Sequence, residues 1–233
     1  MGGMGRPRSP QWSGEMAKLF GENAAFTADV EVQTKPGGGQ AMTIPGKLAF
    51  DEGKSRFEMD LLKGGAPGGA EAAEQMKAMG MDRMIVVSRP EKKITYMIYP
   101  GLEAYVESPL ESAGGGEGDF KVETTELGKE TVDGHATVKM KAVVTDPQGG
   151  KHESIIWSAT DLKKFPVKIE TTEQGVASTI FFKNVKLSKP EANLFDPPAS
   201  MKKYDSMMAL MQQEMMKRMG GAGAIGGRRG GSK

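Results

Sequence analysis

One pattern constrains the fold of this chain more than any other: apolar and polar residues alternate along most of the stretch from 26 to 185. In one run Phe57, Met59 and Leu61 alternate with charged residues at 56, 58 and 60. Successive side chains of a β-strand point to opposite faces, so this pattern predicts strands with one face in a core and the other in water.

Turn sequences separate the alternating runs, among them Asp133-Gly134 and Glu173-Gln174-Gly175. These connections are too short for crossover helices, so we expect neighbouring strands to pair antiparallel. About ten strands are predicted, near residues 26–34, 41–50, 54–61, 83–88, 94–99, 119–127, 130–145, 151–159, 166–173 and 176–187. A flat sheet of this size leaves long edges and an uncovered apolar face. The predicted fold is therefore mainly β, a strongly curved antiparallel sheet forming an incomplete barrel covered by a few helices.

Three helices are predicted, over residues 12–25, 70–80 and 204–219, the last ending at the glycines that begin with Gly220. The expected organisation is a disordered leader at 1–14 that remains after signal removal, a half-barrel domain at 15–200, a Met-rich amphipathic helix at 201–219 and a disordered Gly/Arg tail at 220–233. We expect the Met-rich helix to fold back over the open side of the sheet, since its apolar stripe needs a cover.

Composition excludes several classes of function. The chain has no cysteine, which rules out disulfides, thiolate metal sites and cysteine nucleophiles. Its 31 Lys and Arg against 30 Asp and Glu give a formal charge of +1, so no global field attracts nucleic acid or anionic lipid. We predict no nucleic-acid partner and no membrane span, because no apolar run reaches the length of a spanning helix.

Motifs for catalysis or cofactor binding are missing. The pattern Gly-x-Gly-x-x-Gly at 221–226 has no preceding strand, so it does not predict a dinucleotide site. His135 and His152 lie beside charged residues and are too few for a His-only metal site. Methionine pairs such as Met76 and Met79 suit copper(I), but packing of an apolar helix face explains the same spacing. We predict no catalytic residue, metal ligand or cofactor and expect no enzyme activity, although a hydrolase with paired carboxylates stays open as an alternative.

Several short motifs occur in an order that resembles a group of bacterial exported domains related to the LolA and LolB lipoprotein carriers. They are residues 127–135 (Leu-Gly-Lys-Glu-Thr-Val-Asp-Gly-His), 156–170 (Ile-Trp-Ser-Ala-Thr-Asp-Leu-Lys-Lys-Phe-Pro-Val-Lys-Ile-Glu), Val185, and 193–198 (Asn-Leu-Phe-Asp-Pro-Pro). The resemblance covers roughly residues 24 to 204. It implies a curved antiparallel sheet whose concave apolar side receives acyl chains, and it implies export.

The first functional hypothesis is a periplasmic or otherwise exported protein that holds a hydrophobic ligand, an acyl chain or a lipidated protein, in the concave half-barrel. The candidate ligand-binding residues are Phe57, Met59, Leu61, Met140, Val167, Ile169, Ile180, Phe182, Met208, Met211 and Met215. For each strand residue, filling a dry core is an equally good interpretation. The alternative hypothesis is a sensor or regulatory module that binds a protein segment through the Met-rich helix. The oligomeric state and the ligand are left open.

Overall fold

The computed structural model describes residues 15–35, 42–63, 69–110, 120–173 and 176–223. Its twelve strands are β1 Ala25–Lys35, β2 Met42–Asp51, β3 Lys54–Asp60, β4 Arg83–Arg89, β5 Ile94–Tyr99, β6 Ala104–Pro109, β7 Lys121–Val132, β8 His135–Thr145, β9 Lys151–Ala159, β10 Phe165–Glu173, β11 Val176–Lys186 and β12 Lys202–Tyr204. The α-helices are α1 Glu15–Lys18, α2 Gly69–Ala78 and α3 Met207–Gly223, and short 3-10 helices span Pro90–Lys92, Pro100–Leu102 and Ala192–Phe195.

All twelve strands belong to one open sheet in the order β12-β6-β5-β4-β3-β2-β1-β11-β10-β9-β8-β7. Every pair of neighbours is antiparallel except β12 and β6, which run parallel over three residues. The sheet is curved and does not close into a barrel, which confirms the predicted fold class. Its two edges are the short β12 and the twelve-residue β7.

The sequence missed two strands, β6 and β12. β12 has only three residues, too few to show alternation. β6 begins directly after the 3-10 helix at Pro100–Leu102, with Glu103 in the left-handed region at φ 48°. β6 reads Ala-Tyr-Val-Glu-Ser-Pro, in which alternation extends over too few residues to predict a strand.

The strand prediction for the β7–β8 hairpin was wrong in its boundaries. The prediction ended one strand at residue 127 and began the next at 130, whereas Gly128 lies inside β7 at a bulge between Glu126 and Gly128. The turn falls at Asp133 and Gly134, both with positive φ (52° and 86°), as a tight hairpin connection requires. The run predicted at 130–145 is therefore split between β7 and β8.

The helix prediction was correct for α2 and only partly correct for the other two. α1 has four residues and is followed by Gly21 at φ 59°, which ends the helix well before residue 25; residues 12–14 lie outside the described chain. α3 begins after Ser206, whose Oγ accepts a hydrogen bond from the Ala209 N–H at 3.1 Å. It continues to Gly223, beyond the predicted stop at Gly220. The leader predicted at 1–14 and residues 224–233 of the predicted tail also lie outside the described chain.

The main core covers one face of the sheet and includes α1. Phe20, in the turn that follows α1, is 1% exposed, and its ring centroid lies 4.7 Å from Phe26, 5.3 Å from Phe50 and 5.8 Å from both Phe165 and Phe182. This first cluster gathers buried residues of β1, β2, β3, β8, β9, β10 and β11. We call the face that it covers the inner face, because the sheet must curve around it for so many strands to share one cluster.

A smaller cluster covers the opposite, outer face, where the segment after β11 crosses the sheet. Phe195 of that segment is buried there with Ile85, Val87 and Ile98. Arg89 donates hydrogen bonds to the Phe195 carbonyl at 3.0 Å and to the Asp196 carboxylate at 2.5 Å. These contacts fix the path of the chain from β11 to β12 and so determine where α3 begins.

Candidate functional site

The inner face continues past the first cluster onto β4, β5 and β6. In the ladder, Phe57 lies opposite Val86, Val86 opposite Met97, and Met97 opposite Val106. Directly opposed residues of antiparallel strands point to the same face, so these side chains extend the surface that the first cluster covers. A third cluster of buried residues lies on this part: Tyr99, Ala104, Val106, Tyr204 and Leu210.

Methionines connect the third cluster to its cover, α3. Met81, Met84 and Met97 from the sheet side and Met207 and Met211 from α3 are all partly buried against this cluster. We call these five residues the methionine seam. Met84 also packs against the first cluster, so the apolar surface is continuous from the α1-covered core to the space beneath α3. Flexible thioether side chains suit a surface that must adapt its shape.

Polar contacts at one end hold α3 against the sheet. Gln213 Oε1 accepts hydrogen bonds from Lys202 Nζ at 2.7 Å and from the Tyr204 hydroxyl at 3.3 Å. Lys203 of β12 forms an ion pair with Glu107 of β6 at 2.8 Å. Among the α3 side chains that the structure describes, only Leu210 is fully buried, at 0% exposure. α3 is therefore anchored by one leucine, two methionines and a small polar network.

A surface cleft of about 410 Å³ lies where α2 ends beside α3. In the wall of the cleft, the backbones of Gly80 and Gly101 approach each other closely. A Cβ on Gly80 would lie 2.7 Å from the Gly101 carbonyl oxygen, so only glycine permits this approach. Leu102 lines the cleft and also packs against the third cluster. The cleft therefore adjoins the apolar surface beneath α3.

Charged side chains lie at the cleft and an apolar environment lies behind it. Lys77, Glu103 and Glu214 line the cleft. Glu214 is paired with Lys217 at 2.5 Å, and that hydrogen bond raises the pKa of the Lys217 ammonium. Behind them, burial raises the pKa of the Tyr99 hydroxyl, because the low-polarity surroundings disfavour the phenolate. The cleft is therefore charged where it meets solvent and adjoins an apolar environment.

The structure separates the predicted ligand-binding residues into three groups. Phe57, Met59, Val167, Ile169, Ile180 and Phe182 are buried in the first cluster, and Leu61 and Met140 are partly buried against it. Met211 lies in the methionine seam. Met208 and Met215 are 79% and 62% exposed and do not line the inner face. The residues of the first group share one cluster with Phe20 and with Met16 of α1.

Sequence reasoning missed the part of the inner face beneath α3. Met84 of β4 was not proposed. Met97 and Tyr99 were also not proposed, because β5 reads Ile-Thr-Tyr-Met-Ile-Tyr and has too few polar residues to assign a face. The concentration of methionine near residues 76–84 and in the tail was the available signal. The sequence did not show that these two segments meet across the sheet.

The two histidines lie at the beginnings of β8 and β9, beside turns. His135 Nδ1 is 2.8 Å from Asp161 Oδ2, and this hydrogen bond lowers the pKa of the Asp161 carboxyl. His152 Nε2 is 3.4 Å from Asp146 Oδ2. Both pairs join residues of neighbouring turns or strand ends. Within the described ranges, no three His, Asp or Glu side chains are grouped so as to hold a metal ion.

Comparison with known proteins gives similarities of fold only. No family model matches the sequence. No curated protein matches it significantly. A LolA superfamily protein from Nitrosomonas europaea has 11% identity and a TM-score of 0.45, with 77% of this chain and 93% of that one covered. This chain resembles LolA-like proteins in fold. The sequence motifs at 127–135, 156–170 and 193–198 indicate a resemblance to the same group of proteins.

Two further solved structures are similar. Lipoprotein LppX of Mycobacterium tuberculosis has 9% identity and a TM-score of 0.42, over 72% of this chain and 92% of that one. MucB in complex with MucA(peri) has 14% identity and a TM-score of 0.39, over 82% of this chain and 61% of that one. These values are too low to transfer a function. No helix within the described part of the chain is both long and apolar enough to cross a bilayer.

Proposed function

We propose that this protein binds a hydrophobic ligand, an acyl chain or the acyl group of a lipidated protein, between α3 and the inner face of the sheet. The observation that carries the proposal is the continuity of the inner apolar surface from the first cluster, across Met84, to the methionine seam. The proposed site is thus different from the α1-covered core, where the sequence had placed most candidate residues.

Packing differs between the two parts of the inner face in a way that favours this location. Under α1, aromatic rings fill the space, and opening it would break the contacts among Phe20, Phe26 and Phe165. Under α3, the seam consists of partly buried methionines that can change rotamer at little cost. Inserting an acyl chain there replaces thioether contacts with methylene contacts, and burial of each CH₂ contributes about 0.8 kcal/mol.

The adjoining cleft can hold the polar headgroup of the proposed ligand. Leu102 belongs to both the cleft and the third cluster, so a chain beneath α3 can keep its headgroup beside Lys77 and Glu103. We propose binding without chemical conversion. The setting we propose is exported, on the basis of the sequence motifs; recovery of the full-length protein from the cytosol of fractionated source cells would contradict that setting.

Titration with a fluorescent fatty acid tests the proposed site. We expect saturable binding, and we expect Met97→Glu to weaken it at least about tenfold, because a carboxylate in the seam must be desolvated when the chain binds. The matched control is Leu127→Glu, which adds the same charge at a residue 51% exposed on the edge strand β7.

Thermal unfolding of both variants verifies that the sheet is intact. Equal affinities for wild type and Met97→Glu, with both proteins folded, would place the ligand elsewhere. Absence of saturable binding by the wild type would contradict the proposed function itself.

A further inference from the structure

α3 carries a second apolar surface on the side away from the sheet. Met208, Met215 and Met216 are 79%, 62% and 63% exposed, and they make up three of the five large apolar side chains found exposed in the described chain. Their spacing of seven and eight residues places them on one side of a helix. We call these three residues the outer methionine ridge. Gln212 lies between them in the helical repeat, so the ridge contains no charge of its own.

Positive charge is concentrated in the C-terminal part of the sequence that contains this ridge, even though the whole chain is nearly neutral. Residues 201–233 contain seven Lys and Arg and two acidic residues, a net +5, whereas residues 1–200 contain 24 against 28, a net −4. Lys203 and Lys217 are paired with Glu107 and Glu214. The other five cations are Lys202, Arg218, Arg228, Arg229 and Lys233, and three of these follow α3 in the chain.

We propose that the outer methionine ridge docks on an anionic phospholipid surface. An interfacial helix buries apolar side chains at the boundary between headgroups and acyl chains, while neighbouring Lys and Arg interact with anionic headgroups. The ridge supplies the apolar side chains, and the net +5 of residues 201–233 complements the charge of the surface. A ridge of flexible side chains without hydrogen-bonding groups suits a fluid surface better than a protein groove of fixed shape.

Docking in this way brings the membrane beside the cleft. Glu214 lines the cleft and directly precedes Met215 of the ridge. A bilayer that contacts the ridge therefore lies next to the entrance of the proposed ligand site. The inference about docking does not depend on that site, because the ridge and the methionine seam are on different sides of α3.

Vesicle flotation of the full chain tests the docking. We expect binding to vesicles of phosphatidylcholine with about 30% phosphatidylglycerol in about 0.05 M salt, and loss of most binding in about 0.5 M salt. Met208→Ser, Met215→Ser and Met216→Ser combined should lower the partition coefficient at least about tenfold, since the apolar contribution is removed. Arg228→Gln with Arg229→Gln should lower it about 25-fold, at about fivefold for each charge.

The control combines Val122→Ser and Leu127→Ser, which remove the other two exposed apolar side chains, both on β7. This control should bind vesicles as the wild type does. The proposal would be overturned if the ridge variant bound vesicles as well as the wild type does. It would also be overturned if the wild type bound pure phosphatidylcholine vesicles independently of the salt concentration.

Two other outcomes assign the ridge to a different occupant and would equally overturn it. One is a dimer that the ridge variant abolishes, without vesicle binding by the wild type. The other is a protein segment that competes for the ridge when vesicles do not. Fatty acid titration without vesicles separates this inference from the proposed function: the ridge variant should keep wild-type affinity, because its three substitutions lie outside the seam.

Discussion

Asp51 is a buried carboxylate that links two parts of the chain. Its side chain is 1% exposed; Oδ2 accepts a hydrogen bond from Lys54 Nζ at 2.6 Å, and Oδ1 lies 3.6 Å from Lys189 Nζ. The hydrogen bond from Lys54 is the largest influence on the pKa of Asp51 and holds it below the ordinary value. The β2–β3 turn and the segment that follows β11 are thereby joined.

Replacing this carboxylate should make stability less dependent on pH. The folded-state pKa of Asp51 is lowered, so its contribution is present above the unfolded pKa near 4 and is lost as pH falls through the folded value. We expect Asp51→Asn to reduce the free energy of unfolding by about 1–3 kcal/mol at neutral pH. Urea denaturation should show that this difference between wild type and variant becomes smaller toward pH 3. Glu52→Gln, at an exposed neighbour, is the control. A difference in the free energy of unfolding between wild type and Asp51→Asn that stays the same in acid would contradict the account.

At the scale of elements, α3 is attached to a sheet that forms its main core without it. Leu210 is the α3 side chain buried in the third cluster, and the first cluster contains no residue of α3. Leu210→Ala removes packing worth about 2–5 kcal/mol. Hydrogen exchange should then show faster exchange over 207–217 with β1 and β11 unchanged. Met208→Ala, on the exposed side, should leave α3 protected, and loss of protection in β1 after Leu210→Ala would show that α3 is part of the main core.

Alternation in the sequence was enough to predict most strands but not every boundary. β1, β5, β9 and β11 lie within two residues of their predicted limits, because each has a polar face or a clear turn beside it. The boundary between β7 and β8 was predicted wrongly because Gly128 accommodates a bulge inside β7 and does not end a strand. β12 depends on a parallel pairing with β6, which no local pattern encodes.

For the whole molecule, the sequence predicted an apolar concave face but not which part of it is adaptable. Phe57, Ile169 and Phe182 are buried in the first cluster, whereas the methionine seam depends on α3 packing beside β6 and β12, where its methionines share a cluster with those of the sheet side. Assigning the faces of α3 also required the structure. Methionines at 207, 208, 211, 215 and 216 surround much of the helix, so periodicity alone does not separate Met211, which faces the sheet, from Met208 and Met215, which face solvent.

The central claim is that an acyl chain occupies the space between α3 and the inner face, and photocrosslinking tests it most directly. The full chain is irradiated with a fatty acid that carries a diazirine near its methyl end, and the labelled peptides are identified by mass spectrometry. The account predicts labels on peptides containing Met84, Met97 or Met207, with competition by unlabelled fatty acid. Labels confined to β7 or to Met208 and Met215, or labels that the competitor does not reduce, would contradict it.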